Sequence, residues 1–111
     1  MSAYKDDKRS RLRMKQEFMV GVRTEGGLKV AYTIDVSRGG VKVGSPMLLL
    51  PLGTQVELVI DKRGEKIPFS GRVAREDGNH YFDRIHRSGN AFFISIDDAQ
   101  YTKFASDNYF V

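Results

Sequence analysis

From Glu17 onward the chain alternates, with Phe18, Val20 and Val22 on one side of an extended run and Met19, Gly21 and Arg23 on the other. A period of two belongs to a β-strand, whose successive side chains point to opposite faces. Gly26-Gly27 then supplies the backbone freedom of a two-residue hairpin turn, and Leu28, Val30, Tyr32 and Ile34 alternate again. This predicts two hairpin-linked antiparallel strands. The signature recurs at Val41 and Val43, at Val56, Leu58 and Ile60, at Ile67, Phe69 and Val73, and at Phe92, Ile94 and Ile96. Turn chemistry separates these runs at Ser37 to Gly40, Gly44 to Pro46, Asp61 to Gly64 and Asp77-Gly78. Six short strands at this spacing predict a mainly β domain, a small barrel or sandwich.

Beyond the last strand the period changes. Asp97 and Asp98 suit a helix start, and Tyr101, Phe104 and Ala105 recur at helical spacing, so a short C-terminal helix is expected to lay an apolar stripe over the sheet, continued by Tyr109 and Phe110. Between Glu76 and Asn90 periodicity does not decide: Tyr81-Phe82 and Ile85 fit either a seventh short strand or a packed loop.

At 111 residues the chain suits one domain with a core of its own. It contains no cysteine, its longest apolar run (Met47 to Leu52) is broken by Pro51, and its first fifteen residues are charged. These features predict no membrane insertion, no secretory leader and a cytoplasmic location. Six of the eighteen Lys and Arg residues lie within positions 1 to 15, so the positive charge is local and suited to an anionic partner.

Two strings bear on which anion. Arg9-Ser10-Arg11-Leu12-Arg13 presents guanidinium forks at spacing Arg-x-x-x-Arg, and Asp35-Val36-Ser37-Arg38-Gly39-Gly40 presents a carboxylate, a hydroxyl and bare backbone at spacing Asp-x-Ser-x-x-Gly. In a chain of this composition about 0.9 copies of the first are expected by accident but only about 0.09 of the second, counting Asp or Asn at its first position. The first precedes the first strand and the second ends the second strand, so both can converge on one rim. Taken singly, the arginines also fit a solvated basic arm and Asp35 with Ser37 an Asx-type turn.

In order, spacing and strand context, Arg9 and Arg13 with Asp35, Ser37 and Gly40 resemble the PilZ domain, a six-stranded antiparallel barrel that binds the bacterial second messenger cyclic di-GMP. Leu50-Pro51-Leu52-Gly53, Gly71-Arg72-Val73-Ala74-Arg75 and the closing helix agree with it. The resemblance implies a flexible basic arm over residues 1–16 that folds over the ligand, and a PilZ-like barrel with a C-terminal helix over 17–111. It implies cyclic di-GMP contacts from Arg9, Arg13, Asp35, Ser37 and Gly40. Lys8, Arg11, Arg38 and Arg75 are secondary candidates; Arg38 departs from the apolar residue usual at its position.

The residues suit that ligand. An arginine fork binds phosphate bidentately, pairs with the Hoogsteen acceptors of guanine or stacks on the base, and a carboxylate accepts from guanine's ring N–H and amino group. His80 and His86 lack the companions of a metal site, and no nucleophile turn is present. The expectation is therefore a non-enzymatic receptor or adaptor without cofactor or metal, signalling to a downstream protein by ordering its arm. The rival is a small basic barrel for RNA or single-stranded DNA, which requires aromatic residues exposed on one strand face; here most aromatic positions alternate inward.

Overall fold

The computed structural model describes residues 13–14, 19–62, 64–83 and 85–109. It contains seven strands, β1 (Arg13–Met14), β2 (Met19–Thr24), β3 (Gly27–Ser37), β4 (Gly40–Ser45), β5 (Gln55–Lys62), β6 (Glu65–Phe82) and β7 (Arg87–Ser95), followed by helix α1 (Ala99–Tyr109). All the pairings are antiparallel within one sheet. The six longer strands pair in the order β3, β2, β5, β6, β7, β4, and β4 pairs again with β3. The six predicted strands and the closing helix are thus present, with β1 as a short addition on β3.

The inner faces of these strands form the core. Val20 and Val22 of β2, Val41 and Val43 of β4, Val56, Leu58 and Ile60 of β5, Phe69 and Val73 of β6, and Phe92 and Ile94 of β7 are all buried. Each contributes on the order of 1.5–3 kcal/mol by leaving water. Phe18, which the alternation places with Val20 and Val22, lies outside the described residues. On β3 the conspicuous apolar positions face outward: Leu28 and Val30 are exposed while Ala31 and Thr33 are buried. The hairpin before β3 closes one residue earlier than Gly26-Gly27 suggests, because Thr24 pairs with Gly27 and leaves Glu25-Gly26 as the turn.

Helix α1 begins where Asp98 accepts a hydrogen bond from the Gln100 backbone N–H at 2.8 Å, an N-cap that satisfies a donor the helix itself cannot. Its apolar stripe meets the sheet through Phe69, whose ring lies 5.2 Å from that of Tyr101 and 5.4 Å from that of Phe104. Tyr101 and Ala105 are fully buried. The Tyr109 side chain and Phe110 lie outside the described residues.

The predicted turn at Asp77-Gly78 is corrected. β6 runs without a break from Glu65 to Phe82, and the chain reverses into β7 only after Phe82, which pairs with Arg87. Gly78 does adopt the left-handed φ of 77°, but there the register between β6 and β7 slips without a reversal. A β-bulge and a turn use the same chemistry, a residue free of Cβ strain beside a short polar one. Tyr81-Phe82 are thus the end of a long strand, neither a separate strand nor a loop.

Candidate functional site

Two bulges shape the site. Along β3 and β4, Tyr32 pairs with Gly44 and Thr33 with Val43; the register then slips, and Asp35 pairs with Lys42, Val36 with Val41 and Ser37 with Gly40. The extra residue is Ile34. In an unbroken register Asp35 would stand opposite the buried Val41 and face the core, whereas the bulge sets it beside Lys42 on the opposite face. The same device operates on β6, where Val73 pairs with Ile94 but Arg75 pairs with Phe93, leaving Ala74 as the extra residue. Without that bulge Arg75 would stand opposite Phe92, which is fully buried.

Both slips bring their residues to one place. Lys42 pairs with Asp35 on one side and with Phe93 on the other, and Phe93 pairs with Arg75, so four neighbouring strands present the row Asp35, Lys42, Phe93, Arg75. These residues and Ser37 line a cavity of about 220 Å³. Asp35 is only 6% exposed. The guanidinium carbon of Arg75 lies 5.1 Å from the centroid of the Phe93 ring, within cation–π range.

A second acid organises the cations. Asp77 accepts from Arg75 at both oxygens, from Nε at 2.5 Å and from Nη2 at 3.1 Å, and its Oδ2 lies 3.4 Å from Lys42 Nζ. The Arg75 guanidinium holds the Asp77 carboxyl below its ordinary range, partly opposed by burial and assisted by Lys42, and Asp77 in turn raises the pKa of Arg75.

The Ser37–Gly40 turn is held from below. The Ser37 hydroxyl donates to the Gly40 carbonyl at 3.1 Å, and the Tyr101 phenol reaches the carbonyls of Ser37 and Gly40 at 2.7 and 2.9 Å. Gly39 accepts from the Ile96 N–H at 3.0 Å. Gly40 is buried, and a Cβ there would stand 2.1 Å from the Ile94 carbonyl oxygen. The close approach that requires glycine at this position is therefore to β7. Ser37 is half-buried, and Arg38 at the tip of the turn is exposed.

Of the remaining sequence candidates, Arg13 belongs to β1 and stands in backbone register opposite Ser37, with Met14 opposite Val36. The Arg-x-x-x-Arg string therefore ends beside the Asp-x-Ser-x-x-Gly string. Lys8, Arg9 and Arg11 lie outside the described residues. Lys42, Phe93 and Asp77 were not singled out by the sequence. Phe93 had a local signal, since in the pair Phe92-Phe93 one ring must leave the core, but Lys42 and Asp77 are visible only through cross-strand pairing. Among the described residues no group of His, Cys, Asp or Glu is arranged to hold a metal ion, and the His86 imidazole lies 3.2 Å from the Tyr81 hydroxyl.

Comparison with known proteins agrees with this architecture. The chain resembles the PilZ domain of CeSA from a cellulose-synthesizing bacterium, with a TM-score of 0.58 and 23% identity over 84% of this chain and 88% of that one. It also resembles the Bacillus subtilis inhibitor of motility MotI/DgrA, with a TM-score of 0.59 and 16% identity over 91% of this chain and 52% of that one. No curated relative matches significantly. At these identities the solved structures establish a shared fold. The PilZ domain family model matches residues 7–106, nearly the whole length and both strings included, and this chain accordingly belongs to the PilZ domain family, a family of cyclic di-GMP receptors.

Proposed function

We propose that this protein binds cyclic di-GMP between the Asp35–Gly40 turn and the arm that carries Arg9 and Arg13, and that it acts as a non-enzymatic receptor. The observation that carries this reading is the meeting of the two strings: Arg13 stands opposite Ser37, and Ser37 and Asp35 line the cavity with Lys42, Phe93 and Arg75. In this reading Asp35 accepts from the ring N–H and amino group of a guanine, Ser37 adds a hydroxyl, and the ring of strands encloses the core as a barrel whose rim is the site.

Size and charge assign the remaining work to the arm. A cavity of about 220 Å³ is below the roughly 300–1,000 Å³ of ordinary small-molecule pockets, so it suits one base and leaves the phosphates outside. The charges on the described part of the site nearly balance, with Lys42 and Arg75 against Asp35 and Asp77. Net attraction for a dianion must then come from the arm, where Lys8, Arg9, Arg11 and Arg13 are concentrated. Ordering the arm over the ligand changes the surface offered to a downstream protein, and the proposal places this signalling in the bacterial cytoplasm. A nucleic-acid groove needs a run of uncompensated cations and exposed rings; here an acid pairs with both cations of the row, and Phe69, Phe82, Phe92 and Tyr101 are buried.

Calorimetric titration with cyclic di-GMP, with GTP and cyclic di-AMP as controls, tests the proposal. Saturable binding of cyclic di-GMP alone is the expected result, and no heat above dilution would overturn it.

A further inference from the structure

Asp77 is the extra residue of a second bulge in β6, between the pairs Glu76–Phe92 and Gly78–Ala91. It does not line the cavity, yet its side chain is only 13% exposed and pairs with both cations that do. Lys42 and Arg75 flank Phe93 on the two adjoining strands, so their backbones stand about 10 Å apart, twice the strand spacing. Two cations converging on one small cavity repel each other and need a counter-charge to stay there.

We propose that Asp77 is a positioning residue for cyclic di-GMP, a carboxylate behind the cavity that holds Arg75 against Phe93 and Lys42 beside it so that both cations face the ligand. This rests on the reading of the site as a cyclic di-GMP site. Asp77 occupies Nε and one hydrogen of Nη2 of Arg75, leaving Nη1 and the other Nη2 hydrogen for the ligand. A guanidinium fixed on both sides loses little rotamer freedom when it binds, whereas a loose arginine pays for its ordering at that moment. Gly78, at φ 77°, gives the strand the local geometry that leaves Asp77 unpaired in the ladder and available to these side chains.

The test is a double-mutant cycle on the full chain, titrated with cyclic di-GMP. Arg75→Ala is expected to weaken binding about tenfold and Asp77→Asn about three- to tenfold, although Asp77→Asn removes a negative charge from beside an anion. The double variant is expected to lose less affinity than the two single losses combined, because Asp77 acts in part through Arg75 and in part through Lys42. A merely structural role would lower affinity additively in both backgrounds. Additive losses, an Asp77→Asn affinity equal to wild type, or tighter binding by Asp77→Asn as expected of an internal competitor would each overturn the inference while leaving the cyclic di-GMP reading intact. Absence of binding to the wild-type chain would overturn both.

Discussion

The Tyr101 phenol shares its hydrogen between the carbonyl oxygens of Ser37 and Gly40, 2.7 and 2.9 Å away. The last element of the chain thereby fixes the turn that carries the family's most specific string, and its ring, packed on Phe69, fixes the helix to the sheet. Tyr101→Phe keeps the buried ring and deletes the hydroxyl, taking this donor from the Ser37 carbonyl and leaving the Gly40 carbonyl with the Ser37 hydroxyl as its side-chain donor. The expected loss is about 1–2 kcal/mol of stability, measured by chemical denaturation, with a proportionate weakening of cyclic di-GMP binding in the folded protein. Unchanged stability would show that these carbonyls are satisfied otherwise.

Gly40→Ala is expected to act through the fold. The added Cβ meets the Ile94 carbonyl oxygen at 2.1 Å and the Phe93 ring at 2.8 Å, so β4 and β7 must separate. A cost of about 1–3 kcal/mol or more follows from overpacking of this kind, visible as a lowered melting temperature without ligand. A variant of wild-type stability would mean that the two strands part freely at this point.

Asp77 gives the Arg75 pair a defined pH dependence. Its folded pKa is depressed, chiefly by Arg75, so the stabilisation is present above the unfolded value of about 3.9 and is lost as pH falls through the lower folded value. Wild type is expected to exceed Asp77→Asn in denaturation midpoint between pH 5 and 7 as far as this pair is concerned, with the difference shrinking below about pH 4. A difference independent of pH down to strong acid would place its origin elsewhere.

Strand existence was legible in the sequence; the way the strands assemble the site was not. Period two identified every long strand, and the Asp98 cap and the Tyr101, Phe104, Ala105 spacing identified the helix. The apolar residues at Leu28, Val30, Tyr32, Ile34 and Val36 form one unbroken alternation, yet Leu28 and Val30 are exposed and Val36 is buried. The slip at the Ile34 bulge is silent in composition because the residue it inserts is itself apolar. Asp35 and Arg75 are candidates by spacing and family resemblance, and their convergence depends on two such slips. Lys42, Phe93 and Asp77 join the site only through cross-strand register, which no local pattern records.

Asp35→Asn separates charge from shape. The amide keeps the volume of the carboxylate but cannot accept two N–H groups from one guanine edge, so cyclic di-GMP affinity is expected to fall by on the order of 1–3 kcal/mol, read by calorimetry with the melting temperature as control. Retained affinity would remove Asp35 from the guanine contact.

The most direct test of the clamp formed by turn and arm is calorimetric titration of cyclic di-GMP into the wild-type chain, Arg13→Ala, Asp35→Asn and the double variant. Saturable binding to wild type, weakening of about tenfold or more in each single variant, and a double variant departing from additivity are the predicted results, since both residues grip one ligand. No binding to the wild-type chain, or single variants with wild-type affinity, would contradict the account.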